Sequence, residues 1–237
     1  MKILGLQKLT LLDYPGRLAA ILFLGGCNYR CPFCQNSSLV LTPDLLPEIS
    51  HDELIRFLKK RSGILEGICI TGGEPTLYAD LPDLIREIRA CGYPVKLDTN
   101  GTNPDLLSSL IDEGLLDYVA MDIKAGRENY QNICGLTDDA AARTLLEKVS
   151  RSVRLLLQNS VDYEFRTTVV RGLHTETDFL DIAQWLPGCR RYFLQSFRDC
   201  DEVLLQGHSF SEFSAEEMQH FLKIVQTKIP QASLRGI

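Results

Sequence analysis

Nothing in this sequence is long and apolar enough to cross a membrane. The longest apolar run, Leu18 to Gly26, is about half of what a spanning helix needs. It also lies too far from the charged start to read as a signal peptide. A block of lysine and arginine is missing too. With 25 basic against 31 acidic residues and a net charge of −6, wholesale phosphate-backbone binding is disfavoured, so neither nucleic acid nor membrane is expected as a partner. Low-complexity stretches and domain linkers are absent. What remains is a chain of 237 residues, 45% apolar and 24% charged, close to an average globular protein. It is expected to be cytoplasmic and to form one domain over residues 1–237.

Strand-like apolar runs recur along almost the whole length: Leu18–Leu24, Gly67–Thr71, Val95–Thr99, Tyr118–Ile123, Tyr163–Val169 and Tyr192–Phe197. Most are rich in branched or aromatic residues and too short for helices. Helical patterns lie between them, over Asp52–Lys60, Leu81–Ala90, Asp105–Asp112, Asp138–Gln158 and Thr177–Trp185, with a last one over Ala215–Thr227. Ser50 and Ser214 read as N-caps, and Ser214 with Glu217 fits a capping box. Such alternation means parallel strands covered by helices. Six units are too few for a closed eight-stranded barrel but suffice for an open, partial (β/α)6 barrel. A flat doubly wound sheet gives the same pattern. Residues 1–17 read as an N-terminal extension, 18–200 as the core, and 201–237 as a C-terminal segment and helix.

The chain has eight cysteines. A cytosolic protein of this size does not need disulfides, so clustered cysteines point to metal or redox chemistry. Cys69, Cys91, Cys134, Cys189 and Cys200 stand singly, and Cys69 and Cys91 read as core or surface thiols. Cys189 and Cys200 lack CxxC companions, which argues against an auxiliary cluster. Cys27, Cys31 and Cys34 form a C-x3-C-x2-C run just after the first strand, where three thiolates can wrap one metal centre. The flanking Gly25 and Gly26 let the backbone approach it. A closed zinc site needs a fourth ligand, and the nearest candidate, His51, is seventeen residues further on. A [4Fe–4S] cluster held by three cysteines would leave one iron open to a small molecule. Zinc and a chance grouping of buried thiols are the alternatives.

The C-x3-C-x2-C run, with Phe33 before its last cysteine, resembles the signature of the radical S-adenosylmethionine (SAM) superfamily. Gly72-Gly73-Glu74-Pro75 after the second strand looks like the superfamily's GGEP motif. Asp98-Thr99-Asn100-Gly101 ends the third strand, Asp122-Ile123-Lys124 ends the fourth, and Arg166 lies within the fifth. Motif after motif thus falls at the carboxyl end of a strand, where parallel α/β barrels build active sites. A Gly-Gly turn binds a ligand edge-on, and Glu74 offers charge to an ammonium. Lys124 and Arg166 suit a carboxylate or hydroxyls. One amino-acid zwitterion would satisfy them together. The resemblance implies a [4Fe–4S] cluster on Cys27, Cys31 and Cys34, SAM as cofactor, and SAM contacts from Phe33, Gly72, Gly73, Glu74, Asp98, Asn100, Asp122, Lys124, Arg166 and Gln195. It also allows a monovalent cation between Asp98 and Asp122. Gln195 stands where some relatives carry histidine.

The amino end, Leu9-Thr10-Leu11-Leu12-Asp13-Tyr14-Pro15-Gly16-Arg17, looks like the D-x-P-G segment of glycyl-radical enzyme activases. There the aspartate holds the backbone of the target glycine loop, and Asp13 is expected to do so here; by itself the segment is also a good turn. Within the activases, the resemblance is to anaerobic ribonucleoside-triphosphate reductase activating proteins, with pyruvate formate-lyase activating enzymes as near neighbours. It implies a glycyl-radical enzyme as protein substrate and a flavodoxin or ferredoxin-like electron donor. Two other classes stand beside this one: a small-molecule radical SAM enzyme of the 7-carboxy-7-deazaguanine synthase type, and a non-catalytic iron–sulfur or zinc protein. His174, His208 and His220 read as bystanders, with His174 on the loop after the fifth strand, where it could face a substrate.

Overall fold

The computed structural model describes residues 1–207 and 209–236; His208 lies outside the described residues. Eight strands form a single sheet in chain order: β1 (Ile3–Thr10), β2 (Ala19–Leu24), β3 (Gly67–Gly72), β4 (Val95–Thr99), β5 (Tyr118–Asp122), β6 (Asp162–Val169), β7 (Tyr192–Ser196) and β8 (Ser233–Arg235). β2 to β8 run parallel, while β1 pairs antiparallel with β2. A doubly wound sheet reverses its strand order at a switch point. This order never reverses, and β1 and β8 stand at opposite ends of it. The fold is therefore an open, partial barrel.

The helices are α1 (Ser37–Leu41), α2 (His51–Lys60), α3 (Leu81–Ala90), α4 (Pro104–Asp112), α5 (Tyr130–Ile133), α6 (Asp139–Leu156), α7 (Glu176–Trp185) and α8 (Ala215–Gln226). Their starts follow from local chemistry. Ser50 caps α2 by accepting from the Glu53 amide at 3.3 Å. Ser214 and Glu217 satisfy each other's backbone amides at the start of α8, at 3.3 and 2.8 Å. All six expected strands and all six expected helices are present. The sheet has two strands more than expected. β1 carries two register irregularities and an exposed stretch, Gln7–Leu9, so it lacks clean alternation. β8 has only three residues, too few to show a pattern. No helix among the described residues is long and apolar enough to cross a membrane.

The period-2 geometry of the strands sorts their side chains into two sets. One set, including Leu22, Leu24, Ile68, Ile70, Leu97, Val119, Met121 and Phe165, is buried in the main apolar core with the covering helices. The other faces the barrel interior and is charged: Lys96 and Asp98 on β4, Asp122 on β5, Glu164 and Arg166 on β6. Barrel interiors are ordinarily filled by branched apolar residues. Here ion pairs replace many of them, beside apolar residues such as Ile21 and a small separate cluster of Tyr14, Ala19 and Tyr118.

One buried bond ties this outer layer to the loops at the carboxyl ends of the strands. Ser152 on α6 is fully buried and donates to the Gly101 carbonyl at 2.7 Å. Ser152→Ala leaves that carbonyl without its donor and is expected to cost about 1–3 kcal/mol, read as a drop in melting temperature of the purified protein.

Candidate active site

The loop after β2 carries Cys27, Cys31 and Cys34, and all three line one cavity of about 210 Å³ at the carboxyl ends of the strands. The backbone of this loop is bonded from several sides. Gly25 N–H donates to Lys2 at 3.3 Å, Arg30 N–H to Cys134 at 2.9 Å, and Leu204 and Leu205 N–H to Cys34 and Pro32 at 2.8 and 3.0 Å. The segment around 204, an appendage to the repeat by sequence, thus backs the cysteine loop. No three of the described His, Cys, Asp or Glu side chains converge closely enough to hold a single metal ion. Three thiols from one loop, all lining a single cavity, are a donor set that suits an iron–sulfur cluster.

The three thiols differ in environment. Burial pushes Cys27 up to about 12 and raises Cys34 as well. Cys31 is held below the ordinary thiol value, because the Cys134 thiol donates to it and Lys124 lies nearby, together outweighing burial. Cys134 arrives from the residue after α5, and it was one of the cysteines that stand singly in sequence. The close approach of Gly135 to the Arg30 backbone, at a φ of 65°, brings it there.

Gly72 and Gly73 line the cavity, and their lack of side chains has a direct cause. A Cβ at Gly72 would run into the Leu24 backbone, and one at Gly73 into the Gly26 carbonyl. The two loops are zipped together: Gly73 N–H donates to Leu24 at 2.9 Å and Glu74 N–H to Gly26 at 2.8 Å. The Asn36 amide donates to the Gly72 carbonyl at 3.0 Å.

Glu74 also braces the loops around the cavity. It is fully buried, lies outside the cavity lining, and spends both oxygens on the chain. It accepts from the Thr76 amide at 3.0 Å, the Thr99 hydroxyl at 2.8 Å and the Asn100 amide at 2.6 Å. It therefore locks the GGEP loop to the loop after β4, three of these bonds falling on one oxygen and only the Asn100 amide on the other. Asn100 lines the cavity and donates to Asn28 of the cysteine loop at 2.8 Å.

The charged wall of the cavity is a continuous ladder. Lys124 donates to Asp122 at 2.7 Å, and Arg166 donates to Asp122 at 2.5 Å and to Asp98 at 2.8 Å. Lys96 then pairs with the other oxygen of Asp98. Burial disfavours the charges of Asp98, Asp122, Lys124 and Arg166, but the partners win. Arg166 and Lys96 hold Asp98 below the carboxylate range; Arg166 and Lys124 do the same for Asp122. Asp122 and the neighbouring thiols hold Lys124 above the usual amine value. Arg166 uses two of its five N–H groups in this way and keeps the others. Asp98, Asp122, Lys124 and Arg166 all face the cavity.

Phe33 also lines the cavity and packs edge-on against His174, ring centroids 6.2 Å apart. His174 is not a bystander. It is buried, accepts from the Val170 amide at 3.1 Å and bonds the Lys124 carbonyl at 2.8 Å. Burial lowers its pKa, so it holds the Lys124 backbone as a neutral ring. His220 lies on the surface beside Glu176.

Two expected residues lie apart. Gln195 is absent from the lining, and its side-chain carbonyl accepts from Arg235 at 3.3 Å. Asp13 sits in the turn between β1 and β2, at the amino end of the parallel strands, where it accepts from the Thr10 hydroxyl at 2.5 Å. Lys96, Cys134 and His174 were not singled out as site residues by sequence. The readable signal for Lys96 was a lysine two residues before Asp98, alternating with the apolar Val95 and Leu97.

Residues 21–186 match the Radical SAM superfamily. A Methanocaldococcus jannaschii protein, provisionally named a glycyl-radical enzyme activating enzyme, is 33% identical over 98% of this chain and 95% of its own length. A 7-carboxy-7-deazaguanine synthase of Methanopyrus kandleri is 28% identical over 68% of this chain and 70% of its own. Among solved structures, a radical SAM methyltransferase of Sphaerobacter thermophilus overlays 96% of this chain and 68% of its own at a TM-score of 0.71 and 17% identity. A domain of the pyruvate-formate lyase-activating enzyme from Bacteroides vulgatus overlays 72% of this chain and 99% of its own at a TM-score of 0.54 and 18% identity. These last two speak for the fold alone. Matched over most of its length, and carrying its three-cysteine loop on an open barrel, the chain belongs to the radical SAM superfamily.

Proposed function

We propose that this protein is a glycyl-radical enzyme activase, acting on an anaerobic ribonucleoside-triphosphate reductase. The observation that carries this reading is the 33% identity, over nearly the full length of both chains, to the M. jannaschii protein. The Asp13-Tyr14-Pro15-Gly16 turn adds to it. A second cavity opens at that end of the barrel, lined by Tyr14, Pro15, Arg17 and Tyr118 among others. A peptide held there would approach the interior from the end opposite the cysteine loop.

In this reading Cys27, Cys31 and Cys34 hold a [4Fe–4S] cluster, and the cavity beside them takes SAM. When bound and reduced by a flavodoxin or ferredoxin-like donor, the cluster would supply the electron for reductive cleavage of SAM and so for removal of a glycine hydrogen. The remaining tasks belong to the chain. Lys124 and the unspent N–H groups of Arg166 attract the methionyl carboxylate, and Gly72 and Gly73 admit the ligand against bare backbone. Glu74 and Asn100 hold the surrounding loops in register. Asp13 accepts from the backbone of the incoming glycine loop. No general base is called for.

The test is anaerobic. The protein is reconstituted with iron and sulfide, reduced, and given SAM, with 5′-deoxyadenosine assayed and EPR recorded, first alone and then with the reductase. A glycyl-radical EPR doublet in the reductase is the expected result. Deoxyadenosine without that signal in any glycyl-radical partner would favour a small-molecule substrate, as in the M. kandleri relative. A bound cluster that never cleaves SAM would favour an electron carrier. Two variants sharpen the assignment. Cys31→Ala should abolish cluster absorbance while circular dichroism stays near wild type, and a full cluster in that variant would remove Cys31 from the ligand set. Asp13→Ala should lower reductase activation about tenfold or more, the loss of a charge-assisted bond, while uncoupled SAM cleavage persists. Equal loss of both activities would contradict a peptide-holding role.

A further inference from the structure

The monovalent cation that the family resemblance allows between Asp98 and Asp122 does not fit the donor set. Two carboxylates offer four oxygens, and side-chain cations take all four. Asp98 accepts from Lys96 on one oxygen and from Arg166 on the other, at 2.8 Å. Asp122 accepts from Arg166 on one oxygen, at 2.5 Å, and from Lys124 on the other, at 2.7 Å. The group already counts three positive charges against two negative. Another cation would have to displace one of these partners and add to a positive surplus in a poorly hydrated interior, where like charges repel strongly.

We infer that Lys96 is a built-in substitute for that cation, a positioning residue whose ammonium holds Asp98 in place of a metal ion. An ammonium and a potassium ion have the same charge and similar size. The register of the sheet delivers this ammonium to its place: Lys96 and Asp98 lie two residues apart on one face of β4, and Cys69 stands directly opposite Lys96 on β3. The Cys69 sulfur completes the surroundings, 3.7 Å from Lys96 Nζ and 3.6 Å from Asp98 Oδ1. Only 1% of the Lys96 side chain is exposed. A lysine placed for solubility or for a surface ion pair would not be sealed inside a barrel. Its task is to fix the carboxylate on which Arg166 leans, and so to fix the guanidinium facing the SAM cavity. A tethered cation cannot diffuse away, so the pocket stays organised whatever salt surrounds it.

The inference rests on the SAM reading of the cavity only where ligand binding is measured, and the first arm of its test avoids that dependence. Cluster-free protein is melted in potassium, sodium, ammonium and choline chloride at equal ionic strength. The wild type should melt at one temperature in all four. Lys96→Met, which keeps the bulk of the side chain, should melt lower in choline and recover in potassium or ammonium. The second arm measures SAM binding to the reconstituted protein by equilibrium dialysis. Wild-type affinity should be the same in potassium and choline, while Lys96→Met should bind at least about fivefold more tightly in potassium, a coupling of ordinary size between linked sites. A wild type whose melting or SAM binding needs potassium overturns the inference. So does a folded Lys96→Met that is indifferent to every cation. Should the variant fail to fold in all four salts, wild-type indifference in both arms supports the inference and wild-type dependence refutes it.

Discussion

The arrangement hangs on five alternating charges inside the barrel, Lys96, Asp98, Arg166, Asp122 and Lys124, each bonded to the next. Burying one such charge alone would cost several kcal/mol. Buried as a chain, every carboxylate oxygen meets a cation, and the strands leave little freedom to rearrange. Asp122 and Arg166 face each other across β5 and β6, and Asp98 faces the small side chain of Ala120, which leaves room for Arg166 to reach it. Removing one member would strand its neighbour, at about 3–5 kcal/mol for a broken buried pair. The interior is therefore specific more than it is stabilising, holding one geometry at the expense of the apolar packing that a closed barrel would use.

Around this ladder the loops are bound to one another before any ligand arrives. Glu74 links the loop after β3 to the loop after β4, and Asn28 and Asn100 link the latter to the cysteine loop. His174 links the loop after β6 to Lys124. A site assembled from four strand ends is thus braced by groups of which Asn100 alone lines the cavity. Placing reacting groups in advance is how a protein contributes when a cofactor carries the difficult chemistry.

The parts of this design legible in the sequence were those with a period or a spacing. Alternating strands and helices gave the parallel sheet, and the C-x3-C-x2-C run, the Gly-Gly turn and the strand-end aspartates gave the cavity. β1 and β8 escaped, one because its irregular register spoils alternation, the other because three residues show none. Distinguishing the open barrel from a flat sheet required the strand order, which no local pattern encodes. At the site, residue type was readable but direction was not. The bracing by Glu74 was not readable, because its partners Thr99 and Asn100 lie 25 and 26 residues away. Cys134 looked solitary and proved to touch Cys31, because the contact depends on a glycine passing the Arg30 backbone. Lys96 was overlooked because a lone lysine in a strand reads as exposed until the register turns it inward.

The bonds on the cysteine loop also tie its shape to distant parts of the sequence. Its backbone is fastened to Lys2 before it, to Cys134 about a hundred residues on, and to Leu204 and Leu205 some 170 residues beyond Cys34. The segment that follows the last long strand is thus part of the scaffold of a loop near the first, and a fragment ending before Leu204 would lack the two bonds from that side.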